Sequence, residues 1–141
     1  MKVVMTPNPY RDKQFRVAEQ AQSILEAEGV TVRMCLPFEV DKSYPLPSGI
    51  HFYDLKKEIR DAQMLICFGG DGTILHASKF ATANHIPVLG VNIGTMGFIA
   101  ELESEELPLL DRLARDEYTL DSRMMLDVKV LREGQTVFHD L

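Results

Sequence analysis

The sequence predicts a domain of the α/β class, in which a parallel β-sheet carries helices on both faces. Short apolar runs begin at residues 2, 30, 64 and 86, and their length and composition suit buried strands. Segments with apolar residues at helical spacing lie between these runs. Strands that alternate with helices pair in parallel through right-handed crossovers. We therefore expect a Rossmann-like sheet over residues 1–122, followed by the start of a β-rich second domain.

The first three elements follow from local residue chemistry. Residues 2–6 form a β-branched run typical of a first strand, and Asp12 is suited to cap a helix that runs to about Glu28. Gly29 is well placed to end this helix in a left-handed turn, and residues 30–36 form the second strand. The predicted buried stripe of the helix consists of Phe15, Ala18, Ala21 and Leu25.

Residues 37–52 show no periodicity and are rich in proline. This predicts a long loop, which serves either as a mobile flap or as a variable surface excursion. Leu55 and Ile59, four residues apart, mark a short helix before the next strand.

The stretch from Met64 to Phe80 is the one around which the chain is organised. Residues 64–68 suit a fully buried strand, GGDGT follows at 69–73, and a helical pattern begins at Ile74. In parallel sheets, ligands bind at such turns, beyond the carboxyl ends of the strands. The glycines favour positive φ and close approach of a ligand, and the free N–H groups at the start of the helix favour an oxyanion.

Asp71 is the unusual residue of this turn. No lysine follows the glycines, which excludes a Walker A loop, and Leu75 replaces the third glycine of a dinucleotide-binding G-x-G-x-x-G turn. A carboxylate would repel a bare phosphate, so Asp71 is predicted to meet a metal ion or a hydroxyl, as in a kinase. The alternative is a tight turn in which Asp71 only caps the helix.

A second glycine-rich segment follows the strand predicted at 86–92. Gly90, Gly94 and Gly97 suggest a backbone that lies against a ligand. Phe98 is suited to pack on a base or a sugar, and the alternative is an ordinary core aromatic. A helix without evident chemistry comes next, and its buried face is predicted to contain Leu107, Leu110 and Leu113.

From residue 123 the pattern changes to alternation. Apolar and polar residues alternate from Leu126, and Glu133-Gly134 is a turn sequence, which together predict a β-hairpin. We expect residues 123–141 to be the first piece of a truncated, β-rich substrate-binding domain. An exposed apolar face on this hairpin would lead the isolated chain to self-associate, or would leave the hairpin disordered.

Composition and charge exclude several classes of protein. The net charge of −6 argues against nonspecific binding to nucleic acid or to an anionic membrane. No apolar run reaches about 18 residues, and the N-terminus lacks the features of a signal peptide. Cys35 and Cys67 lack C-x-x-C spacing and are predicted to be buried core thiols. We expect a cytoplasmic protein.

The two glycine-rich segments carry a family resemblance. GGDGT followed by Ile74-Leu75-His76-Ala77 resembles the signature of the NAD kinases, and residues 86–98 resemble that family's next loop. GGDGT alone is shared with diacylglycerol-type lipid kinases and, loosely, with phosphofructokinases. The resemblance extends over nearly the whole chain, from Thr6 to Leu126.

The resemblance implies transfer of the γ-phosphoryl group of ATP to the 2′-hydroxyl of the adenosine ribose of NAD. Asp71 would be the catalytic residue, and the phosphate-binding residues would be Gly69, Gly70, Gly72 and Thr73. The NAD-binding residues would be Asp71, Gly72, His76 and Phe98. A divalent metal, Mg²⁺, would travel with ATP, since no aspartate-rich protein cage is visible in the sequence.

His76 lies one helical turn past Gly72, so its imidazole could reach back toward the glycine loop. The alternative is a surface histidine on a short helix. The resemblance also implies that the family's next segment, with an Asn-Glu or Asn-Asp pair, is missing here. We therefore expect the isolated chain to form negligible NADP, and the full-length protein to be a homo-oligomer.

Two other functions remain open on the sequence alone. A lipid kinase of the same superfamily is disfavoured, because Ile74-Leu75-His76-Ala77 replaces the Asn-Glu that such kinases tend to place after GGDGT. A noncatalytic nucleotide-binding module would need the same glycine loop without turnover.

Overall fold

The computed structural model describes residues 1–94 and 97–141, so Thr95 and Met96 of the second glycine-rich segment lie outside the described residues. The strands are β1 (Lys2–Pro7), β2 (Thr31–Met34), β3 (Met64–Gly69), β4 (Val88–Asn92), β5 (Leu102–Glu103), β6 (Val128–Arg132) and β7 (Gln135–Asp140). The α-helices are α1 (Arg16–Ala27), α2 (Leu55–Glu58), α3 (Asp71–Ala83) and α4 (Asp111–Ala114). Short 3₁₀ helices cover Lys13–Phe15, Ile59–Asp61 and Ser104–Leu110.

The first five strands form one parallel sheet in the order β2-β1-β3-β4-β5. The winding direction of the chain reverses between β1 and β3, so the carboxyl ends of these two strands flank a topological switch point. Helices cover both faces of the sheet, which confirms the predicted α/β class. On one face the buried helical residues are Ala18, Ala21, Leu25, Leu107, Leu110 and Leu113. On the other they are Leu55, Ile59, Ile74, Ala77 and Ala81.

Helix α1 begins later than Asp12, because Gln14 and Phe15 have left-handed backbones with φ of 57° and 58°. Phe15 occupies the N-cap position, but the two carboxylate oxygens of Asp12 accept hydrogen bonds from Val17 N (3.0 Å) and Ala18 N (2.9 Å) in the first turn of α1. The predicted left-handed turn after the helix is present, since Gly29 has φ of 82°.

We expect Asp12→Ala to lower the free energy of unfolding by about 1–3 kcal/mol, because two helix-terminal N–H groups would lose their acceptors. Asp12→Asn, which keeps one acceptor, should be closer to wild type. Burial raises the pKa of Asp12 above its ordinary value of 3.8, against the effect of its backbone hydrogen bonds. The Asp12 carboxyl therefore binds its proton more tightly in the folded state than in the unfolded chain. Its contribution to the free energy of unfolding decreases as the pH rises above 3.8.

Urea unfolding followed by circular dichroism at pH 4 and pH 7 checks this prediction. The gap between wild type and Asp12→Ala should be wider at pH 4. Equal stability of all three proteins at both pH values would contradict it.

Strands β6 and β7 form the predicted hairpin, in a two-stranded antiparallel sheet separate from the main sheet. Its two-residue turn has positive φ at Glu133 (53°) and Gly134 (79°), which matches the right-handed twist of the strands. The apolar side chains expected to be exposed are so, namely Leu126, Val128, Val130 and Val137. Side chains connect the hairpin region to α3 through the Lys79–Asp140 ion pair and a contact between Thr82 Oγ1 and Met125 Sδ (3.3 Å).

Both cysteines are buried and unpaired, as expected. Burial raises the pKa of each thiol to about 12, so neither Cys35 nor Cys67 supplies a reactive thiolate near neutral pH. Over residues 1–94 and 97–141, no helix has the length and apolar character needed to cross a bilayer.

Candidate functional site

A cleft of about 430 Å³ lies at the carboxyl ends of β1, β3 and β4, beside the switch point. This is where parallel α/β sheets bind ligands. The residues that line it are Asn8, Arg11, Gly70, Asp71, Gly72, Thr73, Ile93 and Gly94. A larger depression on the outer face of α1 is lined by side chains of that helix alone, and therefore has no second wall to enclose a ligand.

The GGDGT segment forms one wall of the cleft. Helix α3 starts at Asp71, and the first helical hydrogen bond runs from Ile74 N to Gly70 O (3.1 Å). The N–H groups of residues 71–73 therefore precede the helical hydrogen bonds and are available as donors. An oxyanion at this point would also be favoured by the positive end of the helix dipole.

None of the three glycines of GGDGT is required by backbone conformation, and packing within the protein requires only Gly69. Positive φ was expected here, but Gly69, Gly70 and Gly72 do not have it; in the second segment Gly94 does, with φ of 130°. A Cβ on Gly69 would lie 2.6 Å from Thr73 Oγ1, which leaves no room for a side chain. A Cβ on Gly70 or Gly72 would point into open space. Both residues line the cleft, so neither position carries a side chain that would fill it.

Asp71 joins the two glycine-rich segments. Its Oδ1 accepts hydrogen bonds from Phe98 N (3.0 Å) and Ile99 N (3.3 Å), and its Oδ2 lies 3.2 Å from Phe98 N. The alternative in which Asp71 only caps α3 is wrong, because the cap position belongs to Gly70 and no side chain caps it. The carboxylate is half-buried at the edge of the cleft, where it can accept a further hydrogen bond from a ligand.

Thr73 is held in place from the other side of the switch point. Its Oγ1 accepts a hydrogen bond from Asn8 Nδ2 (3.0 Å), and Asn8 N donates to Phe68 O (2.9 Å) at the end of β3. Thr73 and Asn8 are 65 residues apart in the chain, so this contact fixes the turn after β1 against the start of α3.

Only one of the three glycines in the second segment lines the cleft. A Cβ on Gly90 would lie 2.7 Å from Ile74 Cδ1, and one on Gly97 would lie 2.7 Å from Asn92 Oδ1. These two glycines serve packing inside the protein, contrary to the expectation that all three face a ligand. Asn92 is buried and donates from Nδ2 to the Glu103 carboxylate (3.1 Å).

Phe98 and His76 lie outside the cleft lining. The side chain of Phe98 is 82% exposed, so the alternative of a core aromatic is wrong. His76 does not reach back to the glycine loop among the described residues. Its Nε2 lies 3.1 Å from Pro37 O, and its ring packs edge-on between Phe38 and Phe80. His76 thus anchors the long loop that follows β2.

Asn8 and Arg11 are cleft residues to which the sequence pattern assigned no catalytic or binding role. Both follow β1 directly, and side chains that follow parallel strands meet at one edge of the sheet. Their place directly after a predicted strand is the sequence feature that could have indicated them. Among the described residues, no group of three or more His, Cys, Asp or Glu side chains could hold a metal ion.

Comparisons with known proteins find one matching family model and several similar chains. The family model described as ATP-NAD kinase N-terminal domain matches residues 3–118. The NAD kinase of Lachnoclostridium phytofermentans is 35% identical over 137 residues, which is 96% of this chain and 45% of that protein. NAD kinase 2 of Streptomyces avermitilis is 36% identical over 136 residues, or 92% of this chain and 44% of that protein. A solved archaeal flavodoxin covers 83% of this chain and 96% of its own, with TM-score 0.47 and 14% identity.

The chain spans about half the length of the curated relatives that it matches; for the NAD kinase of Mycolicibacterium paratuberculosis, 32% identical, the share is 48%. The family match includes β1 from Val3 onward, both glycine-rich segments and every described residue of the cleft lining. The chain therefore belongs to the NAD kinase family and corresponds to its N-terminal domain.

Proposed function

We propose that this chain provides the phosphoryl-transfer half of a kinase that phosphorylates the 2′-hydroxyl of NAD with ATP. The observation that carries the proposal is the position of Asp71. Its carboxylate stands at the edge of a cleft whose adjacent wall is a row of free N–H groups, which is the arrangement needed to bring a hydroxyl next to a phosphate.

Each part of the cleft would have a separate task. Asp71 would accept or orient the proton of the attacking hydroxyl, while the backbone of Gly70, Gly72 and Thr73 would hold phosphate oxygens. Gly69 lies in β3, where its carbonyl accepts a hydrogen bond from Ile93 N, and it is not part of the cleft lining. Mg²⁺ would enter with ATP and neutralise charge on the transferred group. Within the described part of the cleft lining, Asp71 is the single carboxylate, so phosphate oxygens and water would supply most of the metal's ligands.

The acceptor would approach from the side of Asp71 that faces the second segment. Phe98 donates its own backbone N–H to Asp71 while its side chain is exposed, so its ring is available to pack on a base or a sugar. His76 is anchored to Pro37, and its predicted contact with NAD would require the long loop to move.

The test is NADP formation from NAD and Mg-ATP. It should be run on the 141-residue chain and on a fusion that adds the C-terminal part of the Lachnoclostridium phytofermentans NAD kinase. We expect turnover by the fusion and negligible turnover by the chain alone, because binding energy from the rest of NAD is needed to position the hydroxyl.

Diacylglycerol in place of NAD is the control for a lipid kinase, and no product is expected from it. A fusion that binds ATP and NAD but forms no NADP would overturn the proposal in favour of a noncatalytic nucleotide-binding module.

A further inference from the structure

We infer that Arg11 binds the phosphate chain of the donor nucleotide and so divides the cleft into a donor side and an acceptor side. The inference deepens the proposed function and rests on it for the identity of the nucleotide. Whatever the nucleotide, Arg11 and the start of α3 would together form a binding site for a linear polyphosphate.

The first argument is the charge of the cleft. Among the described residues that line the cleft, Arg11 is the only cation and Asp71 the only carboxylate. The protein as a whole carries a net charge of −6, which opposes the approach of a triphosphate. A phosphate chain in this cleft would therefore lie toward Arg11 and away from Asp71, which leaves Asp71 free for a hydroxyl.

The second argument is that the guanidinium has no other task in the described part of the chain. Arg11 makes no ion pair and no side-chain hydrogen bond there. The neighbouring carboxylate of Asp12 accepts hydrogen bonds from N–H groups at the start of α1 and is not paired with Arg11. A Cβ on Gly94 would lie 3.7 Å from Arg11 Nη1, so the guanidinium extends across the cleft toward the second segment.

The third argument is that the backbone of Arg11 is fixed. Arg11 N and Asp12 N both donate to Asn8 O (3.1 and 2.9 Å), and Tyr10 N donates to Asn8 Oδ1 (2.9 Å). Asn8 in turn is bound to Phe68 and Thr73. A guanidinium on such a turn can offer its planar pair of N–H groups to phosphate oxygens with little loss of backbone entropy on binding.

The experiment is a calorimetric titration of the 141-residue chain with sodium tripolyphosphate, and separately with ATP, ADP and AMP, all without metal. The variants are Arg11→Gln, Arg11→Lys and the matched control Arg60→Gln. Arg60 is also exposed, but it precedes β3 and so lies near the amino ends of the strands, away from the cleft. Circular dichroism verifies the fold of each variant.

We expect wild type to bind tripolyphosphate and to bind ATP more tightly than AMP. Arg11→Gln should weaken tripolyphosphate binding about 10- to 100-fold and remove the preference for ATP over AMP, as expected for loss of a charge-assisted pair. Arg11→Lys should be intermediate, and Arg60→Gln should equal wild type.

Failure of wild type to bind tripolyphosphate would overturn the inference, as would equal weakening by Arg11→Gln and Arg60→Gln. The two proposals can fail independently. If the fusion forms no NADP but tripolyphosphate binding depends on Arg11, the proposed function fails and the role of Arg11 stands. If the fusion forms NADP and Arg11→Gln leaves KM for ATP unchanged, the role of Arg11 is contradicted and the proposed function stands.

Discussion

Asp71→Asn in the fusion should lower kcat for NADP formation by about 10²- to 10⁴-fold, because asparagine cannot accept the proton of the attacking hydroxyl. Nucleotide affinity should change little. The asparagine Oδ1 can still accept the hydrogen bonds that Phe98 N and Ile99 N now donate to the carboxylate, so the two glycine-rich segments should stay joined.

Asp71→Ala separates the chemical role from this structural one. It removes both the proton acceptor and the link between the segments, so it should lower kcat and also weaken NAD binding. Steady-state kinetics with NAD and ATP varied in turn distinguish the two variants. Near-native kcat in Asp71→Asn would contradict the assignment of a base and leave Asp71 as a positioning residue.

Gly70→Val should raise Kd for ATP about 100-fold or more, because the valine side chain would occupy the space beside the free N–H groups of α3. The fold itself should tolerate the change. Gly70 has φ of −102° and ψ of −170°, an extended conformation that valine adopts readily, and its added Cβ would meet no protein atom within 4 Å.

Gly49→Val is the matched control for this variant. Gly49 also has open space at its Cβ, and it lies in the long loop outside the cleft lining. Titration with ATP should give wild-type affinity for the control. Unchanged affinity in Gly70→Val, with a native circular dichroism spectrum, would show that phosphate does not lie against Gly70.

The elements of the main sheet could be predicted because each depends on nearby residues. The five apolar residues from Met64 gave a strand because their length and composition fit a buried position between two others. Other boundaries depended on details that periodicity does not capture. Residues 104–110 form a 3₁₀ helix with Pro108 inside it, and proline supplies no N–H for an α-helical hydrogen bond. The second strand ends at Met34, where the chain leaves the sheet for the long loop.

The site was predictable in position but not in its internal contacts. GGDGT after a buried strand indicated where a ligand would bind, since parallel sheets place such turns at one edge. The reasons for its glycines were different from those expected, because the clash between Gly69 and Thr73 depends on how α3 folds back. The partners of Asp71 come from residues 98 and 99, whose path over the sheet no local pattern specifies.

The hairpin forms a sheet of its own, so the two sheets should respond differently to a ligand that binds in the cleft. The described cleft lining runs from Asn8 to Gly94, so a ligand there would bind only when β1, β3 and β4 are all in place. It would stabilise that sheet as a whole, by about 2.7 kcal/mol at a concentration 100 times its Kd. Within the described chain, β6 and β7 share no ladder with that sheet, so their opening would not be suppressed to the same extent. A bound ligand should therefore slow amide hydrogen exchange in the five-stranded sheet and leave exchange in the hairpin nearly unchanged.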